Sequence, residues 1–199
     1  MFIKKIFAAA CMMSLPLMAD LPQPYISVQT IPQIPNFVLD SWQISSLINQ
    51  NAAAIIIDVE SQNGGVARYI AQQNLPSVAQ IYSISLWTSP DKNQKYLYQQ
   101  FLSNVIQENT ADQIVPIRMS SVEAAEGLNL IGDFIYLGSN NTVGLFNDIL
   151  GWSSHLSSNG IIAGNNWFDR DVETAVTDAA AKLNLVLRVS DNLWYLSKN

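Results

Sequence analysis

The stretch Ala53–Val59 reads AAIIIDV, and the turn-forming residues ESQNGG follow it and end at Gly65. A short apolar run that is rich in isoleucine, with Asp58 as its one polar residue, predicts a strand buried on both faces, as in a parallel sheet. Gly64 and Gly65 precede an amphipathic run that starts near Ala67, so a turn and then a helix are predicted there. This strand–turn–helix unit indicates an α/β fold.

The same alternation continues along the chain. Its last two strands lie too close together for a crossover helix, so we expect them to pair antiparallel. The pattern predicts a doubly wound, mostly parallel Rossmann-like sheet of about seven strands, with helices on both faces and a C-terminal antiparallel hairpin. Further strands are predicted at Gln80–Trp87, Ile114–Ile117, Phe134–Leu137, Gly160–Ala163, Leu185–Val189 and Leu193–Leu196. Helices are predicted at 36–51, 93–109, 120–126, 142–156 and 171–183, the first with Phe37, Trp42, Leu47 and Ile48 as its apolar residues.

Composition narrows the classes of function. The 199 residues are 49% hydrophobic and 13% charged, which suits a packed globular domain and excludes a disordered chain. Ten Lys and Arg against sixteen Asp and Glu give a net charge of −6, so a nucleic-acid partner is not expected. One cysteine and one histidine leave little for a zinc site. The expected partner is a small molecule or another protein.

The N-terminus has the pattern of a secretory signal peptide. Lys4 and Lys5 precede an apolar run that ends at Ala19, too short to span a membrane as a helix. We predict a signal peptide over 1–19, a proline-rich arm over 20–35 and one α/β domain over 36–199. A lipoprotein signal that uses Cys11 and an ordinary first helix are the alternatives. After cleavage no membrane span is expected, and the protein is predicted to be exported, to the periplasm or outside the cell.

Seven strings in the same order resemble class I S-adenosylmethionine-dependent methyltransferases, specifically the small-molecule O-methyltransferase-like group called methyltransferase domain 24. The resemblance runs from about Ile55 to Lys198. The strings are DVESQNGGVARYIA, QIYSISLW, MSSVEAA, GDFIYLGSNN, FNDILGW, NGIIAGNNWFDRDVETAV and LWYLSK.

This resemblance implies an S-adenosylmethionine pocket at the carboxyl ends of the strands. The positions that it implies for cofactor binding are Glu60, Gly64, Gly65, Ser85, Trp87 and Ser121. Two of them depart from the family. Glu60 stands where a glycine is typical, and its side chain and charge are expected to crowd the amino-acid end of the cofactor. Ser85 stands where an acid typically holds both ribose hydroxyls.

The late strands also depart from the family. Gly138, Ser139 and Asn141 stand where Asp, Gly and His are typical, and Asn165 and Asn166 replace an acidic pair. In metal-dependent relatives such carboxylates hold a divalent cation, and an amide lacks that charge, so no metal is expected. Asn141, Asn165 and Asn166 are therefore vestigial catalytic candidates, and none of these side chains is a strong general base.

Residues expected to pack are retained where residues expected to do chemistry are replaced. The retained residues are Trp87, Trp152, Val172, Val176 and Trp194. We interpret the chain as a methyltransferase-like domain that has lost catalysis and works in binding or interaction. The alternative is an active S-adenosylmethionine-dependent methyltransferase on a small hydroxylated substrate. In that case the family's motif positions lie one or two residues away from those given above, or other groups bind the same cofactor.

Three other features have simpler interpretations. His155 is expected near the surface at a helix end rather than as a catalytic base. The acidic residues at 169, 171 and 173 are expected to stabilise the start of the following helix rather than to bind a cation. Trp87 and Trp167 either fill the mouth of the site or stack on a ligand.

Overall fold

A computed structural model of the chain describes residues 21–88, 96–138 and 142–198. Its seven strands form one sheet in the order β3-β2-β1-β4-β5-β7-β6. The first five strands are parallel, whereas β7 pairs antiparallel with both β5 and β6. The predicted doubly wound sheet with a C-terminal hairpin is confirmed. The strands are β1 (Ile55–Val59), β2 (Gln80–Ile84), β3 (Ile114–Ile117), β4 (Gly132–Leu137), β5 (Leu156–Gly164), β6 (Val186–Ser190) and β7 (Leu193–Ser197).

In the described part of the chain, six α-helices cover the two faces of this sheet, and each face has its own apolar core. Helices α1 to α3 pack on one face and α4 to α6 on the other. The five apolar residues expected to pack are all buried, Trp87 in the first core and the other four in the second. The helices are α1 (Ser41–Gln50), α2 (Gly65–Gln72), α3 (Leu97–Gln107), α4 (Ser121–Gly127), α5 (Thr142–Ser153) and α6 (Arg170–Leu183). None of the helices in the described part of the chain is long and apolar enough to cross a membrane.

The first helix is shorter than predicted, and two of its predicted core residues are wrong. Helix α1 begins at Ser41, after Asp40 in a left-handed conformation, so Phe37 lies before the helix and is 83% exposed. Trp42, in its first turn, is 74% exposed. Leu47 and Ile48 are buried as predicted, because they lie on the turns that face the sheet.

The end of α5 also differs from the prediction. The helix ends at Ser153, and Leu156, predicted as its last apolar residue, begins β5. His155 lies between the two elements and is buried rather than near the surface. Its Nδ1 lies 2.7 Å from the carbonyl oxygen of Leu130 and its Nε2 lies 2.8 Å from that of Ala125. The histidine therefore joins α5 to the C-terminal turn of α4 and to the segment before β4.

The segment 21–35, predicted as a proline-rich arm, packs against the domain. It contains one short 3-10 helix, Tyr25–Ser27, and the buried Tyr25 hydroxyl donates to the Ile114 carbonyl at 2.7 Å. Ile31 donates to and accepts from the Ser103 hydroxyl on α3. The predicted signal peptide, 1–19, lies outside the described residues.

Candidate functional site

A cleft opens at the carboxyl ends of β1 and β4. In a doubly wound sheet the chain leaves β1 toward β2 and later returns to β4 on the other side, and ligands bind at this switch point. The cleft has a volume of about 240 Å³. Its walls come from the loop after β1, from Tyr136 on β4 and Gly138 just after it, from Asn165 after β5, and from residues 37–39 ahead of α1.

The floor of the cleft is the carboxylate of Asp58, the residue before the last of β1. Its Oδ2 accepts from the Ser61 hydroxyl at 2.7 Å and from the Ala67 backbone N–H, in the first turn of α2, at 3.1 Å. Asp58 is 2% exposed. Burial raises its pKa to about 6, although the bonds from Ser61 and Ala67 act in the opposite direction.

The loop after β1 has the backbone of a glycine-rich turn with few glycines in it. Glu60 has φ of 59°, Gln62 has φ of 45° and Gly64 has φ of 80°. The left-handed region disfavours residues with a β-carbon by about 1–3 kcal/mol in strained sites. Position 60 therefore keeps the conformation expected of a glycine and carries a glutamate in it.

The Glu60 side chain lies at the border between the cleft and a second polar cluster. Burial raises the pKa of Glu60, the charge of Asp148 adds to this, and the Ser121 backbone N–H acts against it. The Ser121 hydroxyl donates to Asp148 at 2.6 Å and accepts from the indole N–H of Trp152 at 3.0 Å. Burial also raises the pKa of Asp148. The hydroxyl of Ser121 is thus bonded within the protein.

The space over the end of β2 is filled by Trp87. Its side chain is 4% exposed, and its ring lies 5.0 Å from that of Tyr98 and 4.8 Å from that of Phe101, between centroids. The indole N–H donates to the Gln62 carbonyl. The Ser85 hydroxyl accepts from the Trp87 backbone N–H at 3.2 Å. Of the two arrangements considered for Trp87, it has the filling one.

The two glycines of the turn have different surroundings. A β-carbon on Gly64 would come within 2.8 Å of the Phe101 ring, so glycine is needed there for close packing as well as for its φ. Gly65 begins α2 and lines the cleft, and its carbonyl accepts from the Asn36 side chain at 3.0 Å. Only Gly65 therefore faces the position where a ligand could lie.

The late asparagines are only partly in the site. Asn165 lines the cleft, and its backbone carbonyl accepts a hydrogen bond from the indole N–H of Trp194 at 3.0 Å. Asn166 has φ of 61°, and its backbone carbonyl accepts a hydrogen bond from the backbone N–H of Asp169 at 2.9 Å in the turn before α6. Asn141 and Ser139 lie outside the described residues.

The acidic residues at 169, 171 and 173 have the helix role that was predicted. The Asp169 carboxylate accepts from the backbone N–H of Asp171 at 2.9 Å and caps α6, with Asp171 and Glu173 in the first turn. The described residues contain no group of three or more His, Cys, Asp or Glu side chains placed to hold a metal.

The structure thus brings together some of the predicted residues and adds others. Glu60, Gly65 and Asn165 line the cleft, whereas Gly64, Ser85, Trp87 and Ser121 pack or bond beside it. Sequence reasoning missed Tyr136 and the wall formed by residues 37–39. Tyr136 pairs with Asp58 in the register of β1 and β4, and its hydroxyl is the only one in the FIYL run, which was the available signal.

Comparison with solved structures places this fold among methyltransferases. The S-adenosylhomocysteine-bound methyltransferase PaMTH1 of Podospora anserina is 15% identical, with a TM-score of 0.65 over 83% of this chain and 80% of that chain. TomG, an O-methyltransferase of Streptomyces achromogenes in complex with S-adenosylmethionine, is 10% identical, with a TM-score of 0.62 over 85% and 84%. A precorrin-6y C5,15-methyltransferase of Geobacter metallireducens is 12% identical, with a TM-score of 0.64 over 87% and 95%. No protein-family model and no curated protein matches the chain.

The chain therefore has the fold of class I S-adenosylmethionine-dependent methyltransferases, which confirms the resemblance at the level of fold. That resemblance puts the amino-acid end of the cofactor over the β1 loop and its ribose at the end of β2. The first of these places is open to the cleft, beside Glu60 and Gly65. The second is filled by Trp87, with Ser85 bonded to it. With Trp87 and Ser85 in this arrangement, the residues at the end of β2 do not fit the ribose of the cofactor.

Proposed function

We propose that this chain is a methyltransferase-like binding protein that does not transfer methyl groups, and that its cleft takes another small molecule. The observation that carries the proposal is Trp87, whose buried indole lies over the end of β2 and is bonded to the β1 loop. A cofactor that placed its ribose there would have to displace this ring and break the contact between Ser85 and the Trp87 backbone.

The size of the cleft supports the same proposal. Its volume of about 240 Å³ is below the roughly 300–1,000 Å³ of pockets that enclose drug-sized ligands. The described residues that line the cleft include no histidine or lysine that could act as a general base, and Asn165 offers an amide and Gly138 no side chain.

Thermal unfolding with S-adenosylmethionine and S-adenosylhomocysteine tests this function. A ligand at 100 times its dissociation constant adds about 2.7 kcal/mol, which is roughly 5–11 °C for a domain of this size. We expect no shift at millimolar ligand. A shift of that order would support the alternative, an active methyltransferase on a small hydroxylated substrate, and would overturn the proposal.

A double variant tests the physical reason for the expected result. Ser85→Asp combined with Trp87→Ala restores an acid at the ribose position and removes the ring that fills it. We expect this variant, measured against its own ligand-free baseline, to gain a shift with S-adenosylhomocysteine. Trp42→Ala, which removes an exposed tryptophan, is the matched control and should gain none.

We also propose that the protein is exported, on the pattern of residues 1–19. The test is expression of the full chain in bacteria, cell fractionation and N-terminal sequencing of the product. Export predicts a mature chain that begins at Asp20. Cys11→Ser separates the alternatives, because cleavage after Ala19 is unaffected by it whereas a lipoprotein signal is abolished.

A further inference from the structure

The inner wall of the cleft carries two polar side chains that have unused bonding capacity. Asp58 uses Oδ2 for Ser61 and Ala67, and its Oδ1 receives no hydrogen bond from any described residue. Tyr136, the neighbour of Asp58 across the sheet, is 3% exposed, and its hydroxyl bonds to no group in the described ranges. Both residues line the cleft. Neither oxygen is among the fully buried atoms of the described residues that lack a partner, so both are open to the cleft and available to a ligand.

The charge of the walls selects the sign of that ligand. Asp58 and Glu60 both line the cleft, and none of the described residues that line it is a lysine, arginine or histidine. Burial raises the pKa of the Tyr136 phenol, and the charges of Asp58 and of the nearby Asp40 raise it further. A buried carboxylate without a positive partner is destabilising. An anionic ligand would add to the repulsion, whereas a cation would relieve it.

The outer part of the cleft is apolar. Phe37, Val38 and Leu39 form its mouth, and the side chains of Phe37 and Leu39 are largely exposed. The volume of about 240 Å³ equals the space of about eight water molecules at roughly 30 Å³ each. The ligand therefore has roughly that many non-hydrogen atoms, a polar end for the inner wall and an apolar body for the mouth.

We propose that the cleft binds a small primary ammonium compound with an apolar body, its ammonium group between Asp58 and Tyr136 and its body against Phe37 and Leu39. An ammonium group has three donors and no acceptor, which matches Asp58 Oδ1 and the lone pairs of the Tyr136 hydroxyl. This inference rests on the proposed function, because it assigns the cleft to a ligand other than S-adenosylmethionine.

Three probes that share a phenylethyl body and differ in the charge of the end group test the inference by calorimetry on the purified protein at neutral pH. Phenethylamine is the cation, 2-phenylethanol is the neutral compound and 3-phenylpropionate is the anion. We expect saturable binding of phenethylamine, binding of the alcohol weaker by about tenfold or more, and no binding of the anion. Equal affinity for the amine and the alcohol, or no binding of the amine, overturns the inference.

Two variants locate the ammonium group. Asp58→Asn should weaken phenethylamine binding by about tenfold or more, and Tyr136→Phe by about threefold or more. Asp178→Asn removes an exposed carboxylate on α6 and is the matched control, which should bind as the unaltered protein does. Circular dichroism of each variant is the check that it is folded. Unchanged binding in Asp58→Asn, with the fold intact, overturns the assignment.

The two proposals fail in different ways. If S-adenosylhomocysteine stabilises the unaltered protein, the proposed function is overturned, and this inference with it. If neither S-adenosylhomocysteine nor phenethylamine binds, the proposed function stands and the ammonium ligand alone is wrong.

Discussion

The indole N–H of Trp87 donates to the backbone carbonyl of Gln62, and this bond joins the end of β2 to the loop after β1. Trp87 has φ of 49°, so the chain turns back over the sheet at this residue and carries the ring inward. Tyr98 and Phe101 on α3 then hold the ring from the other side. The Trp87 ring is thus held in place by contacts that join the end of β2, the loop after β1 and α3.

Trp87 is expected to contribute several kcal/mol to stability. Trp87→Ala leaves a cavity between β2 and α3 and should lower the free energy of unfolding by about 3–5 kcal/mol. Trp42→Ala, at an exposed position, should change it by less than about 0.5 kcal/mol. Urea denaturation of both variants measures the difference. Similar values for the two would show that the Trp87 ring is not packed as described.

The ion pair between Arg68 and Glu108 gives a second prediction. Both side chains are buried, and Arg68 also donates to the Ile34 carbonyl at 3.0 Å, which fixes the segment before α1. Arg68→Met leaves the Glu108 carboxylate buried without a cation and should lower the free energy of unfolding by about 3–5 kcal/mol. Adding Glu108→Gln should cost less than the sum of the single changes, and a double-mutant cycle measures this coupling. Strict additivity would contradict it.

The left-handed backbone at Glu60 predicts that replacement by glycine leaves the protein more stable than replacement by alanine, the reverse of the usual order. At most positions alanine is more stable than glycine, but φ of 59° favours glycine. Glu60→Gly should therefore be more stable than Glu60→Ala by about 1 kcal/mol in urea denaturation. The same pair at Asp178, inside α6, should have the opposite order by about 0.5–1 kcal/mol.

Asp58 predicts how stability depends on pH. Its pKa in the folded chain is raised to about 6, against about 3.9 in the unfolded chain. Between these values the folded state binds more protons, so this group's contribution to the free energy of unfolding falls as the pH rises from about 4 to about 6. Tyr136 on β4 is the titratable neighbour that faces it.

Asp58→Asn removes this dependence. An amide oxygen still accepts from Ser61 and Ala67 and carries no charge to bury. At neutral pH the variant should be more stable than the unaltered protein by up to about 3 kcal/mol, at about 1.4 kcal/mol per pH unit. Unfolding across this pH range measures it, with Asp178→Asn as control. If Asp58→Asn were less stable than the unaltered protein at neutral pH, the hydrogen bonds to the Asp58 carboxylate would already outweigh the cost of burying its charge.

Much of the fold could be predicted from local patterns, because short isoleucine-rich runs such as Ile55–Val59 are typical of buried parallel strands. Boundaries were less predictable. Trp42 has the spacing of a core residue, but α1 begins one residue earlier at Ser41, and the first turn of a helix need not face the sheet. Leu156 continues the periodicity of α5, but it begins a strand, because the short segment at 154–155 breaks the helix.

The candidate site was less predictable than the sheet. Glu60, Gly65 and Asn165, which were named from their positions after the strands, line the cleft, because topology alone brings strand ends together. The inward turn of Trp87 depends on contacts with α3, and no local pattern encodes it. Tyr136 enters the site through its pairing with Asp58, which appears only once the order of β1 and β4 is known.

The wall of the cleft formed by residues 37–39 lies outside the sheet. Arg68 bonds to the Ile34 carbonyl just before this segment, and residues 37–39 take no part in strand pairing. Substitutions there leave the register of every strand untouched and change the surface that a ligand meets. Substitutions in a stretch of about three residues ahead of the first helix can therefore change ligand preference in this architecture while the fold stays the same.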